Sequence, residues 1–245
     1  MSRALLHLSV ASLNTFVMWY DQTYITFPFA VKEMEGFPLK SRSMFLTIWC
    51  LILQTVYHFV AFLNDVFGTN AQSPKKTPVI RQIKDTIFSL AFPTAIYVSI
   101  AFWSIYAIDK ELIFPERISK LYHPALNHVM HTTVSLFIII ELFTSYRNYP
   151  SRKVGYMVTF SFYISYLVWF FIVYAKTGAW VYPVFQPLNW PMRFLFIILS
   201  VSGATGLYIL GEKINNLVCK TRKQSYTNGT SNGTTNGTAK AKKKS

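Results

Sequence analysis

Apolar residues fall into six runs along this chain, at about 4–20, 44–63, 86–107, 124–145, 154–175 and 192–211. Each is close to the roughly 20 residues a helix needs to cross the hydrocarbon core of a bilayer. None is long enough for two spans, and no internal repeat relates them. The pattern predicts an all-α, polytopic bundle of six transmembrane helices over residues 1–216, with any active site between helices. Trp19-Tyr20 closes the first run as an interfacial anchor, and no small-residue cleavage site follows, so that run reads as a span and not as a signal peptide. Pro93 should kink the third helix, and Pro124 suits the first turn of the fourth.

Past residue 216 the pattern stops. The stretch "TNGTSNGTTNGTAKAKKKS" is of low complexity, and residues 217–245 are expected to be a disordered basic tail.

Composition strengthens the membrane reading. Hydrophobic residues are 52% of the chain and charged residues only 14%, against about 25% charged in soluble domains. A formal charge of +14 raises nucleic acid as a partner. The basic residues lie between and after the apolar runs and form no stripe on a soluble unit, so no nucleic-acid partner is expected. Two thirds of the 24 Lys and Arg fall in the N-terminus, the 64–85 and 146–153 loops and the tail. The positive-inside rule therefore puts both termini in the cytosol. Three sequons, at Asn228, Asn232 and Asn236, would then stay unmodified. The chain ends in Lys242-Lys243-Lys244-Ser245, with lysines third and fourth from the end, as in a dilysine retrieval signal. The expected location is the endoplasmic reticulum, with the plasma membrane left open. The alternative is a solvated basic tail near anionic headgroups. The two cysteines, Cys50 and Cys219, make no disulfide framework.

The fourth run carries Asn127, His128, His131, Thr132, Thr133 and Glu141. Ionisable groups inside a span are functional hypotheses by default. Asn127 and His131 are four residues apart, and His128 and His131 three, so these side chains share a helical face. One reading is interhelical hydrogen bonding that glues the bundle. The other is chemistry. At 1.5 Å per residue, His131 lies about 10 Å along its helix and Thr47 about 5 Å along the second. Those two helices run the same way, so the side chains reach similar depth if the helices pack together. A hydroxyl beside an imidazole is the minimum for nucleophilic catalysis. Glu141 is about 15 Å further down the helix and cannot orient His131. It should pair with Arg147, Arg152 or another helix. Asn127 and His128 remain as local supports, giving a dyad and no full triad.

A metal at His128 and His131 would need a further ligand, and only His7, His58 and His123 remain among the histidines. No metal or cofactor is expected.

Several motifs carry a family resemblance. "FLT" at 45–47, "AFP" at 91–93, "FWSIYAIDKELIFP" at 102–115, "LNHVMHTTV" at 126–134, "YPSR" at 149–152, "TGAWVYPVF" at 177–185 and "YILGEK" at 208–213 occur in order. Together they resemble the androgen-induced and androgen-dependent membrane proteins (FAR-17a-like). The likeness covers about residues 40–215 and is slight in the first span and the tail. It implies an intramembrane threonine hydrolase that cleaves fatty acid esters of hydroxy fatty acids. It also implies Thr47 as nucleophile and His131 as essential histidine. Ala125 stands where the family would lead one to expect an aromatic. The partner implied is a branched lipid ester in the bilayer. The competing reading is a non-enzymatic transporter or signalling scaffold, and the lack of inverted repeats weighs against transport. Acyl-chain preference, oxyanion donors and oligomeric state stay open, with Asn127 a candidate donor.

Overall fold

The computed structural model describes residues 3–72 and 74–241, with side chains through Lys220. Among the described residues there is no strand. Six long helices make the bundle: α1 (Arg3–Tyr24), α2 (Leu46–Phe67), α3 (Val79–Ile108), α4 (Pro124–Thr144), α5 (Arg152–Thr177) and α6 (Trp190–Ala241). Five of them, α2 to α6, are long and apolar enough to cross a membrane, which fits an integral, multi-pass membrane protein. The 22-residue α1 is long enough but less apolar. Its buried face, at 7, 10, 11, 14, 17 and 21, carries His7, Asn14 and Asp21. Its outer face presents Phe16 and Trp19. Lys242 and Lys243 lie outside the described residues, as do the side chains of Asn228, Asn232 and Asn236.

Packing follows a membrane logic. Large apolar side chains such as Val56, Phe59, Ile198 and Leu199 point outward, while polar groups turn inward and bond across helices. In lipid, helix association rests on close packing and such bonds, because hydrocarbon gives apolar faces little reason to leave it. Gly155 lets Tyr208 of α6 press onto α5, where a methyl group would collide with its hydroxyl. Pro93 sits inside α3, which stays helical from Val79 to Ile108.

Local sequence sets the helix ends near the site. His123 caps α4 by accepting the Ala125 N–H at Nδ1 (3.2 Å), with Pro124 at the first helical position. Gly178, at φ 68°, closes α5 in the left-handed conformation. Before α2, Leu39, Lys40 and Ser41 take left-handed φ values of 54°, 45° and 68°. The strain sits where Arg42 is pinned, by Asp21 through Nε (2.9 Å) and by the Ile25 carbonyl (2.7 Å). Tyr122 donates to the same aspartate. This buried ion pair ties the α1–α2 connection to the segment before α4 and fixes the start of α2.

At the opposite end, Glu141 accepts from Tyr57 (2.8 Å) and Arg147 (3.1 Å) and lies 3.4 Å from His7 Nε2. Of the partners the sequence offered, Arg147 is found, and so are other helices, through Tyr57 of α2 and His7 of α1. Arg152 instead bonds Glu212 of α6 (3.1 Å). Glu141 thereby stitches α1, α2, α4 and the α4–α5 loop together.

Candidate active site

Thr47 is the second residue of α2 and His131 the eighth of α4. Their side chains meet, with Thr47 Oγ1 3.2 Å from His131 Nε2. The other ring nitrogen, Nδ1, lies 3.1 Å from the main-chain oxygen of Asn127. A carbonyl only accepts, so Nδ1 carries the hydrogen and Nε2 offers a lone pair to the threonine hydroxyl. This is the tautomer a general base requires.

The orienting group is therefore a backbone oxygen, where the sequence suggested the side chains of Asn127 or His128. Residues Val129–Thr133 form a π-turn inside α4. Such turns recur at functional sites and open the regular hydrogen-bond ladder where a side chain can insert. The imidazole is also clamped by Phe102 of α3, whose ring stacks on it at 3.6 Å and 15°.

His128 takes no part in this contact. It is exposed, 3.1 Å from Thr132 Oγ1 through Nδ1, and stacked on Trp103 at 5.4 Å. The buried Asn127 lines the same cleft as Thr47 and His131.

Two tyrosines missed in the sequence also reach this point. The Leu46 N–H, one of the unpaired donors at the start of α2, bonds the Tyr182 hydroxyl at 2.8 Å and lies 3.2 Å from that of Tyr166. Tyr166 donates to the Met44 carbonyl (3.0 Å) and sits 3.1 Å from Tyr182. With the Tyr166 hydrogen given to the carbonyl, the Tyr182 hydrogen has no carbonyl or carboxylate of its own. Burial pushes the Tyr182 hydroxyl up to about 12, so it keeps that hydrogen at neutral pH. The signal was in plain view in "TGAWVYPVF", but nothing in the sequence ties Tyr182 to a residue 136 positions earlier.

Two clefts meet here and share Thr47, Phe102, Ile113 and Tyr182. The first runs between α3, α5 and α6 and is walled by carbon, with Val98, Ile105, Leu167 and Phe170 among its residues. The second opens toward the loops and holds Asn127, His131, Arg42 and Arg117. The arrangement offers a base-activated hydroxyl at the junction of an apolar and a more polar channel.

A family model described as FAR-17a/AIG1-like protein matches residues 2–216, taking in α1, which the motifs alone had left out. The human protein named androgen-induced gene 1 protein is 34% identical over 186 residues, covering 73% of this chain and 78% of that one. The androgen-dependent TFPI-regulating protein of Mesocricetus auratus is 32% identical over 186 residues, covering 76% and 80%. Its human counterpart is 32% identical over 177 residues, covering 72% and 76%. No solved structure matches. With the model spanning nearly all of the bundle, the chain belongs to the FAR-17a/AIG1-like family.

Proposed function

We propose that the protein is an intramembrane lipid ester hydrolase that cleaves fatty acid esters of hydroxy fatty acids, with Thr47 as nucleophile and His131 as general base. The observation that carries this reading is the 3.2 Å contact from Thr47 Oγ1 to the unprotonated Nε2 of an imidazole whose other nitrogen is held by a carbonyl. The family resemblance implies the same pair and the same substrate class.

The geometry supports a two-step course. Thr47 Oγ attacks the ester carbonyl carbon while its proton passes to His131 Nε2. The oxyanion forms beside the first turn of α2, where the spare Tyr182 O–H is the donor we assign to it, with Asn127 a second candidate. Collapse breaks the bond to the alkoxy oxygen. That oxygen takes the proton from His131 and leaves as the hydroxy fatty acid, with the other chain on Thr47 as an ester. Water, deprotonated by His131, then attacks the acyl-threonine, and the proton returns to Thr47 as the fatty acid departs.

The site suits such a lipid. Its ester lies between two long chains and resides within the bilayer, so an enzyme with its nucleophile between helices can take it sideways from the membrane. The carbon-walled cleft offers room for an acyl chain. We further propose an endoplasmic reticulum location with both termini cytosolic, the orientation being supported by the distribution of Lys and Arg between the loops.

The test is purified protein given a branched fatty acid ester, wild type against Thr47→Ala. Hydrolysis by wild type and its loss in the variant support the reading. Equal rates would remove Thr47 as nucleophile, and no hydrolysis by wild type would leave a transporter or scaffold as the better account.

A further inference from the structure

The two clefts that meet at Thr47 differ in a way that distinguishes the two arms of a substrate. The first carries no charged side chain, while two arginines line the second. Arg42 is buried and committed to Asp21, Ile25 and Lys40. Arg117 is exposed and makes no hydrogen bond or ion pair among the described residues. It lies on the one-turn helix Glu116–Ser119, between α3 and α4. The acids near it in sequence are occupied. Glu116 pairs with Lys120 at 2.9 Å, and both oxygens of Glu111 accept the Glu116 N–H at 3.1 Å. A free guanidinium thus stands on the wall of a cleft whose inner end is the nucleophile.

We propose that Arg117 is a carboxylate-binding residue, which holds the free acid end of the hydroxy fatty acid arm while the plain acyl arm fills the carbon-walled cleft. This rests on the hydrolase reading and adds a placement to it: the hydroxy fatty acid arm lies in the more polar cleft with its carboxylate at Arg117, and the acyl chain bound for Thr47 lies in the carbon-walled one. Physical chemistry favours the assignment. A carboxylate is costly to carry into hydrocarbon, so it stays at the end of the bundle where Arg117 is exposed, while the ester reaches inward to Thr47. The planar guanidinium pairs with a carboxylate through two parallel hydrogen bonds, which a lysine cannot match. The subsite also discriminates against esters lacking a free acid, such as triacylglycerols.

The experiment compares a branched fatty ester bearing a free carboxylate with the same ester methylated there, on wild type, Arg117→Gln and Arg117→Lys. The exposed position makes all three foldable. Wild type should prefer the free acid through KM, and Arg117→Gln should raise that KM about three- to tenfold with kcat little changed. Arg117→Lys should recover part of the loss, and the methylated ester should be indifferent to all three. A second readout needs no turnover. A hydroxy fatty acid should raise the unfolding temperature of Thr47→Ala more than its methyl ester does, and the difference should vanish in Thr47→Ala/Arg117→Gln. Equal handling of the two esters by wild type, or equal stabilisation by the two ligands, overturns the carboxylate site while leaving the hydrolase intact. Ligand discrimination without hydrolysis of either ester sinks the hydrolase reading and leaves the site as a fatty-acid anchor.

Discussion

His131 is held through Nδ1 by the carbonyl of Asn127, four residues earlier on its own helix, at 3.1 Å. A side chain would ordinarily supply this third contact. Here the main chain supplies it, next to the π-turn of Val129–Thr133. His131 lies within that turn, and the deletion of one residue from it tests whether the widened backbone is needed to aim the ring at Thr47. Deleting Thr133 should let α4 run as a regular helix with its flanks in register. The variant should remain folded, judged by its unfolding temperature, and lose labelling of Thr47 by a fluorophosphonate. Full labelling would mean the wide turn is incidental.

Thr47 and His131 should behave as one unit. Thr47→Ala and His131→Ala should each reduce ester hydrolysis by about 10³-fold or more, and the double variant should be little worse than either. His128→Ala should cost less, since His128 bonds Thr132 and stacks on Trp103, away from the threonine. Losses that multiply in the double variant would separate the two residues into independent roles.

Some of this was legible in the sequence and some was not, for identifiable reasons. The apolar runs gave the helices, because lipid demands about 20 such residues in a row. α3 begins at Val79 and not near 86, since Arg81, Lys84 and Asp85 are buried by pairing with one another, and a charged stretch looks like loop to a hydropathy reading. The pairing of Thr47 with His131 followed from depth and the family motifs. The Asn127 carbonyl did not, because every residue has one and only backbone geometry selects it. The Tyr166–Tyr182 pair was equally hidden, since chain distance erases the link to Leu46.

Tyr182→Phe removes the unclaimed hydrogen beside Thr47. The Leu46 N–H still has Tyr166 within 3.2 Å, so the fold should survive. If Tyr182 donates to the oxyanion, kcat should fall by about 10²- to 10³-fold with KM little changed. Tyr166→Phe is the control. It leaves that hydrogen in place and strips a donor from the Met44 carbonyl, so it should lower the unfolding temperature more than kcat. A Tyr182→Phe enzyme with unaltered kcat would clear the hydroxyl of any part in the chemistry.

The proposed orientation has its own check. Protein made in a glycosylating host should carry no glycan on Asn228, Asn232 or Asn236, and endoglycosidase should leave its mass unchanged. A shift mapped to any of these sites would invert the topology.

The Glu141 cluster should matter for stability and not directly for catalysis. Glu141 and Arg147 are both almost wholly buried, 3.1 Å apart, and Arg147 stacks on Phe88 at 3.6 Å. Removing one partner strands the other charge without water. Arg147→Met should therefore cost about 3–5 kcal/mol in unfolding free energy. Glu141→Gln/Arg147→Met leaves no stranded charge from this pair and should be less destabilised than Arg147→Met alone. The exposed Arg152 offers the contrast. Its bond to Glu212 is open to solvent on the arginine side, and Arg152→Ala should cost no more than about 1 kcal/mol. Hydrolysis per folded molecule should be near wild type in all three, because Glu141 lies about 15 Å along α4 from His131. A double variant worse than Arg147→Met would show that the carboxylate's bonds to Tyr57 and His7, and not its charge balance with Arg147, hold this end of the bundle together.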